Sequence, residues 1–220
     1  MKLLKHTCPP WRIITAFLVF SVVFFTSTAA QASIVEIAIT ATINYVRDDG
    51  NRLEGNIHVN DIIMGTYTYE PATLDTNPSL QVGDYQHYAS PYGMFLTVGG
   101  FEFKTNPANT NFLVEIVNNN AGIDGYLVRS YSNLPLSNGA GVDIISWQLA
   151  DYSCTALSTD VLPVTAPVLT AWPSVNELQL DGGREGEYFI AATVTSAQLV
   201  PEPATLLLLG LGVVLLKRRN

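Results

Sequence analysis

The chain has 220 residues with 11 basic and 19 acidic side chains, a formal charge of minus 8. Six of the basic residues sit in the two ends, so residues 33–199 keep Arg47, Arg52, Lys104, Arg129 and Arg184 against 18 acids, a formal charge of minus 13. That sign excludes nucleic acid as a partner, suits solubility and divalent cations, and disfavours direct contact with strongly anionic polysaccharide unless a metal mediates it.

At the N-terminus, Lys2, Lys5 and Arg12 form a positive region and Ile13 to Phe25 an apolar run. Ala30-Gln31-Ala32 then supplies small residues at a cleavage site before Ser33. This is the pattern of a Sec-type signal peptide over residues 1–32, cut by signal peptidase beside Ala30 and Ala32. The competing reading is an uncleaved anchor helix. Cys8 lies ahead of the apolar run and is not placed as a lipoprotein acceptor. Residues 33–199 then amount to one domain. Cys154 is the sole cysteine in them, so no internal disulfide forms there, and it reads as a small buried hydrophobe.

From Ile34 to Val46 apolar and mostly polar residues alternate, the signature of a half-buried antiparallel strand. Asp48 to Asn51 supplies turn chemistry, and Leu53 to Asn60 is expected to return beside the first strand. Ile62 to Glu70 reads as a third strand and Pro71 to Tyr85 as a long loop. Gly93 to Thr105 is the clearest hairpin, with Gly99-Gly100 suited to a two-residue turn that needs positive φ. Phe112 to Val117 pairs with Tyr126 to Tyr131, and Val142 to Leu149, with Trp147, makes a further strand. Asp151 to Asp160 is expected to hold a short helical turn, and Val161 to Pro173, with its prolines, an irregular or edge segment. Glu177 to Leu180 and Glu187 to Leu199 read as the closing hairpin. About ten short strands without a long amphipathic helix predict an all-β, antiparallel β-sandwich, jelly-roll-like in order.

Chemistry-bearing patterns are sparse in this domain. His58 and His87 have no metal-binding spacing and no nucleophile elbow nearby, and both read as satisfied surface histidines. A glycosidase would need two carboxylates about 5 to 10 Å apart in a cleft, and 18 acids nominate no particular pair. Asp75, Asn77 and Asp84 are the calcium candidates, because short oxygen side chains on a flexible loop can converge on a hard cation. Tyr85, Tyr88 and Tyr92 around that loop read either as sugar-stacking rings or as half-buried rim residues. The pairs Thr40/Thr42, Thr66/Thr68 and Thr193/Thr195 read as solvent-facing strand positions. No catalytic residue and no cofactor is assigned from the sequence.

The chain ends in VPEPATLLLLGLGVVLLKRRN over residues 200–220. Pro201 and Pro203 donate no backbone hydrogen bond and push their neighbours towards extended conformations, so Val200 to Pro203 is expected to stay unfolded and accessible. Ala204 to Leu216 favours a helix with weak points at Gly210 and Gly212. At about 1.5 Å per residue it reaches roughly 20 Å, short of the roughly 30 Å hydrocarbon core. It would span only with snorkelling by Lys217, Arg218 and Arg219 or with local thinning, and those cations would face the cytoplasm.

This order of Pro-Glu-Pro, short apolar helix and basic terminus resembles the PEP-CTERM sorting signal of Gram-negative bacteria. The resemblance implies recognition by an exosortase, a membrane cysteine protease that cleaves near the motif. It makes Pro201, Glu202 and Pro203 the recognition motif and Lys217, Arg218 and Arg219 the stop signal. The alternatives are an ordinary tail anchor and a tail that remains uncut. The expected life history is export, a transient stay in the inner membrane, and delivery to the cell surface or exopolysaccharide matrix. The role expected there is non-enzymatic, structural or adhesive with glycan binding, and its competitor is a secreted glycosidase-like hydrolase on the same fold.

Overall fold

The computed structural model describes residues 34–183 and 187–201. They form β1 (Val35–Arg47), β2 (Ile62–Tyr69), β3 (Val82–His87), β4 (Gly93–Val98), β5 (Phe101–Lys104), β6 (Phe112–Asn120), β7 (Ile123–Ser130), β8 (Ile144–Asp151), β9 (Val175–Asp181) and β10 (Phe189–Leu199). A 3-10 turn at Leu169–Ala171 lies within the stretch read as irregular.

β1 shows how the pattern becomes structure. Val35, Ile37, Ile39, Ala41 and Ile43 are buried, while Glu36, Ala38, Thr40 and Thr42 stay half exposed, as a period of two requires of a sheet with one covered face. In the β4–β5 hairpin Gly99 and Gly100 both have positive φ, +58° and +82°. That is the left-handed pair a tight turn matched to the sheet's twist demands.

All ten strands belong to one antiparallel sheet in the order β3-β6-β7-β8-β9-β10-β1-β2-β4-β5. β2 and β7 stand five places apart in it, which on a flat sheet would separate them by about 24 Å. Yet the Tyr67 and Tyr126 hydroxyls are 2.9 Å apart. Thr105, just past β5, likewise reaches Ser130 at the end of β7, Oγ1 to Oγ 2.7 Å. The sheet therefore curls into a half-barrel around its own inner face. The expected all-β antiparallel class is present, but the expected sandwich of two sheets in jelly-roll order is not what these ladders form. The central β1–β10 pair carries register shifts at Thr40/Ala41 and Ile43/Tyr45. Bulges of this kind bend strands and let a single sheet bury its own face.

Inside the curl lies an aromatic core. Tyr67 stacks on Tyr69 and meets Trp147 edge-on at 5.9 Å, and Tyr126 meets Trp147 at 6.1 Å. The segment after β8 helps to cover it: Leu162 and Trp172 are buried, Tyr69 Oη donates to the Pro163 carbonyl and Tyr85 Oη to that of Asp160.

Two local expectations fail. Leu53 to Asn60 is a run of turns, because Asp48 Oδ1 and Oδ2 accept the Arg52 and Leu53 N–H groups and Asn51 and Glu54 take positive φ. No helical turn forms in 151–160, where Asp151 accepts the N–H groups of Ser153 and Thr155 and Cys154 sits at φ +55°. Cys154 is half-buried rather than buried. Among the described residues no helix is long and apolar enough to cross a membrane. The expected signal helix, Ala30, Ala32 and the apolar helix from Ala204 to Leu216 lie outside the described residues.

Candidate functional site

The tail leaves the domain without a spacer. β10 pairs with β1 to its last residue, Leu199 opposite Ile37, and the Val200 N–H still donates to the Glu36 carbonyl at 2.8 Å. Val200 is thus tied to the sheet and not unfolded as expected. Pro201 is exposed and stops the ladder because it has no N–H to continue it. Glu202 and Pro203, like Lys217, Arg218 and Arg219, lie outside the described residues.

The structure does bring Asp75, Asn77 and Asp84 together, for a structural reason. Asp75 Oδ1 accepts the N–H groups of Asn77 and Asp84, and Asn77 Nδ2 donates to Asp84 Oδ2 at 3.0 Å. The Thr76 N–H donates to the Asp84 carbonyl, so the loop shields the outer edge of β3 from strand addition. Among the described residues no three His, Cys, Asp or Glu side chains are placed to hold a metal ion. Asp84 also faces Glu115 across the β3–β6 ladder. Burial first, and then Asp84, holds the Glu115 carboxyl above its usual range, with Arg129 opposing.

The two histidines differ. His58 is exposed, as expected, with its N–H donating to Asp61 Oδ2. His87 is buried, which corrects the surface reading: its ring lies against Tyr69, Tyr92 and Phe112. Its Nε2 faces the Glu70 N–H at 3.2 Å and the Thr73 hydroxyl at 3.0 Å, while Nδ1 lies 3.1 Å from the Tyr85 carbonyl. A backbone N–H can only donate and a carbonyl can only accept, so His87 is neutral with its proton on Nδ1. Burial pushes its pKa down from the model-compound value of 6.5. The unfolded chain therefore takes up this proton first as pH falls. Stability from His87 is full above about pH 6.5 and is lost below it, at up to about 1.4 kcal/mol per pH unit for one proton. Urea unfolding between pH 7.5 and 5 should show this slope in the wild type and a shallower one in His87→Asn.

The tyrosines do not assemble a sugar platform. Tyr85 is buried, Tyr92 is half-buried with its hydroxyl donating to Glu70 Oε2, and only Tyr88 is well exposed. The buried acids Asp124 and Asp151 are register partners across β7–β8. Asp124 accepts the Asn119 and Leu157 N–H groups, and the Ser153 hydroxyl with the N–H groups of Thr155 and Ser153 holds Asp151 well below the usual carboxylate range. Both are occupied in fixing loops.

A cleft that sequence reasoning missed opens on the outer face of β2, β4 and β5, with a volume of about 350 Å³. Thr66 and Thr68 point outward from β2, opposite Phe95 and Gly93 of β4, and Lys104 of β5 stands beside Phe95. Ser90, Pro91, Tyr92 and Pro107 also line the cleft. The Lys104 ammonium lies 5.6 Å from the Phe95 ring centroid. Among the described residues no carboxylate pairs with it, and the hydroxyls of Thr66, Thr68 and Ser90 have no hydrogen-bond partner. Alternation marked Thr66 and Thr68 as outward, but only the β2–β4–β5 pairing brings Lys104 beside them. The threonine pairs form no continuous rank: Thr42 faces Thr193 across β1–β10, but Thr40 and Thr42 face Met64 and Ile62 of β2, while Thr66 and Thr68 face Ala38 and Glu36.

Beyond the junction with β10, the C-terminal residues carry a sorting signal. Residues 199–219 match the family described as the PEP-CTERM protein-sorting motif, so the chain carries that sorting motif in its tail. The motif implies export, processing by exosortase and a destination at the cell surface. No curated protein and no solved structure matches the chain.

Proposed function

We propose that residues 1–32 direct export, residues 33–199 act as a non-enzymatic structural or adhesive domain, and residues 200–220 pass it through the inner membrane to the surface or exopolysaccharide matrix, where the domain binds glycan. The observation that carries this reading is the sorting motif joined directly to the last strand of a core-filled β domain. Its support on the domain side is a cleft lined by hydroxyls, a phenyl ring and an ammonium, with no acid among its lining residues. The reading needs no cofactor, and a chelator arm in any binding assay tests the calcium candidates.

Changing Pro201, Glu202 and Pro203 together to alanine in the full chain tests the sorting step. The variant is expected to stay in the membrane fraction while the wild type is released or displayed, read by fractionation and mature mass. Release that ignores the change overturns sorting through this motif. Both proteins in the membrane, differing in mass only by the three substitutions, means an uncut tail anchor. The second reading, a secreted hydrolase, is favoured by the Asp84–Glu115 pair with one raised carboxyl. Glycoside hydrolysis that is lost in Glu115→Gln would replace the binding reading with that one.

A further inference from the structure

We propose that the β2–β4–β5 cleft is a subsite for a carboxylated sugar, a uronate residue within a polysaccharide. This rests on the glycan-binding reading above and names the class of sugar. The domain carries a formal charge of minus 13, so its few cations have abundant acids to pair with. Arg52 does so with Glu187 at 2.6 Å and Arg47 with Asp49 at 3.5 Å. Lys104, half-buried in a cleft, pairs with no acid among the described residues, and it stands where a ligand's carboxylate would meet it.

The rest of the lining suits a pyranose. Pro91 offers apolar surface to the C–H face of a sugar ring, Phe95 holds the Lys104 ammonium over its own ring, and the hydroxyls of Thr66, Thr68 and Ser90, without partners among the described residues, can both donate and accept towards ring hydroxyls. About 350 Å³ is at the low end of small-molecule sites, roughly 300–1,000 Å³, which fits one or two sugar residues rather than a long chain segment. Thr66 and Thr68 lie on a strand paired on both sides, so two of the hydroxyls are held before a ligand arrives. The acidic surface repels a uronate chain as it does any polyanion, and screening over about 8 Å at physiological salt is what leaves the contact with Lys104 as the local attraction for one carboxylate.

The test is titration of the full-length protein, in mild detergent, with trigalacturonate, its methyl ester and tri-aspartate, followed by calorimetry and by amide shifts. The expected result is saturable binding of trigalacturonate alone, with shifts concentrated in β2, β4 and β5. Lys104→Gln should weaken it about tenfold or more, as loss of a charged hydrogen bond does, and Lys104→Arg should retain it. Equal binding of the ester or of tri-aspartate, no saturation by trigalacturonate, or indifference to Lys104→Gln each overturns the subsite. The shift map on the wild type stands even where a variant folds poorly. Retention of the wild type on host exopolysaccharide separates the two levels. If the matrix retains the protein while trigalacturonate fails, the subsite is wrong and the adhesive reading survives. If the matrix does not retain it, the adhesive reading itself falls.

Discussion

Replacing Trp147 by alanine should remove about 3–5 kcal/mol of stability, the range for deleting a buried aromatic side chain. That is a large share of the roughly 5–15 kcal/mol a domain possesses. Trp147 is fully buried and sits between Tyr67 and Tyr126, whose hydroxyls meet beyond it across the curl. Its indole N–H donates to Asn176 Oδ1 at 3.0 Å, and Asn176 in turn bonds both the N–H and the carbonyl of Val194. One side chain thus links the aromatic core to β9 and β10. Urea unfolding should show the midpoint falling sharply in Trp147→Ala. Trp147→Phe, which keeps much of the ring contact and loses the indole donor, should fall about half as far. A loss below about 1 kcal/mol for the alanine variant would mean that the two halves of the sheet do not depend on this contact.

A second large effect is expected at Gly65, in the middle of β2. A methyl group built there would fall on the Phe95 carbonyl oxygen and lie 2.7 Å from Leu96 Cα, both backbone atoms of β4. No rotamer change relieves such a clash, so β4 must move off β2, and Gly65→Ala should cost about 3 kcal/mol, the upper end for overpacking. The β4–β5 hairpin and the cleft on its outer face would loosen with it. Gly141→Ala is the control: its added methyl would meet only the Gly182 carbonyl at 3.6 Å, an ordinary contact. Its unfolding midpoint should barely move. Equal midpoints for the two variants would show that β4 is not held as closely to β2 as the sheet geometry requires.

Much of this fold could be read from local pattern. The alternation in β1 and the Gly99-Gly100 turn appear where expected, because each depends only on neighbouring residues. Leu53 and Ile57 misled the strand reading: both are buried, but turns set by Asp48 and positive φ at Asn51 and Glu54 bring them inward. The number of sheets was not legible either. Alternation says which residues face inward, but whether the inward faces belong to one sheet or two is decided by remote pairings such as β1 with β10 and β3 with β6. The site divides the same way. Pro201 to Pro203 is contiguous and readable, whereas Lys104, Phe95 and Thr68 are neighbours only after β2, β4 and β5 pair.

The junction at Val200 also decides how the domain carries load. β10 pairs with β9 over Phe189–Ala192 and with β1 as far as Leu199, and the Val200 N–H adds one more bond to the β1 side. Tension applied at Pro201 along the β10 axis would load the β1–β10 bonds together in shear, with the β9 bonds behind them, instead of opening them one at a time as in peeling. Resistance to such tension is a matter of unfolding rate rather than of equilibrium stability. In the adhesive role proposed above, this places the force-bearing strand inside the sheet, between β9 and β1, rather than at an edge.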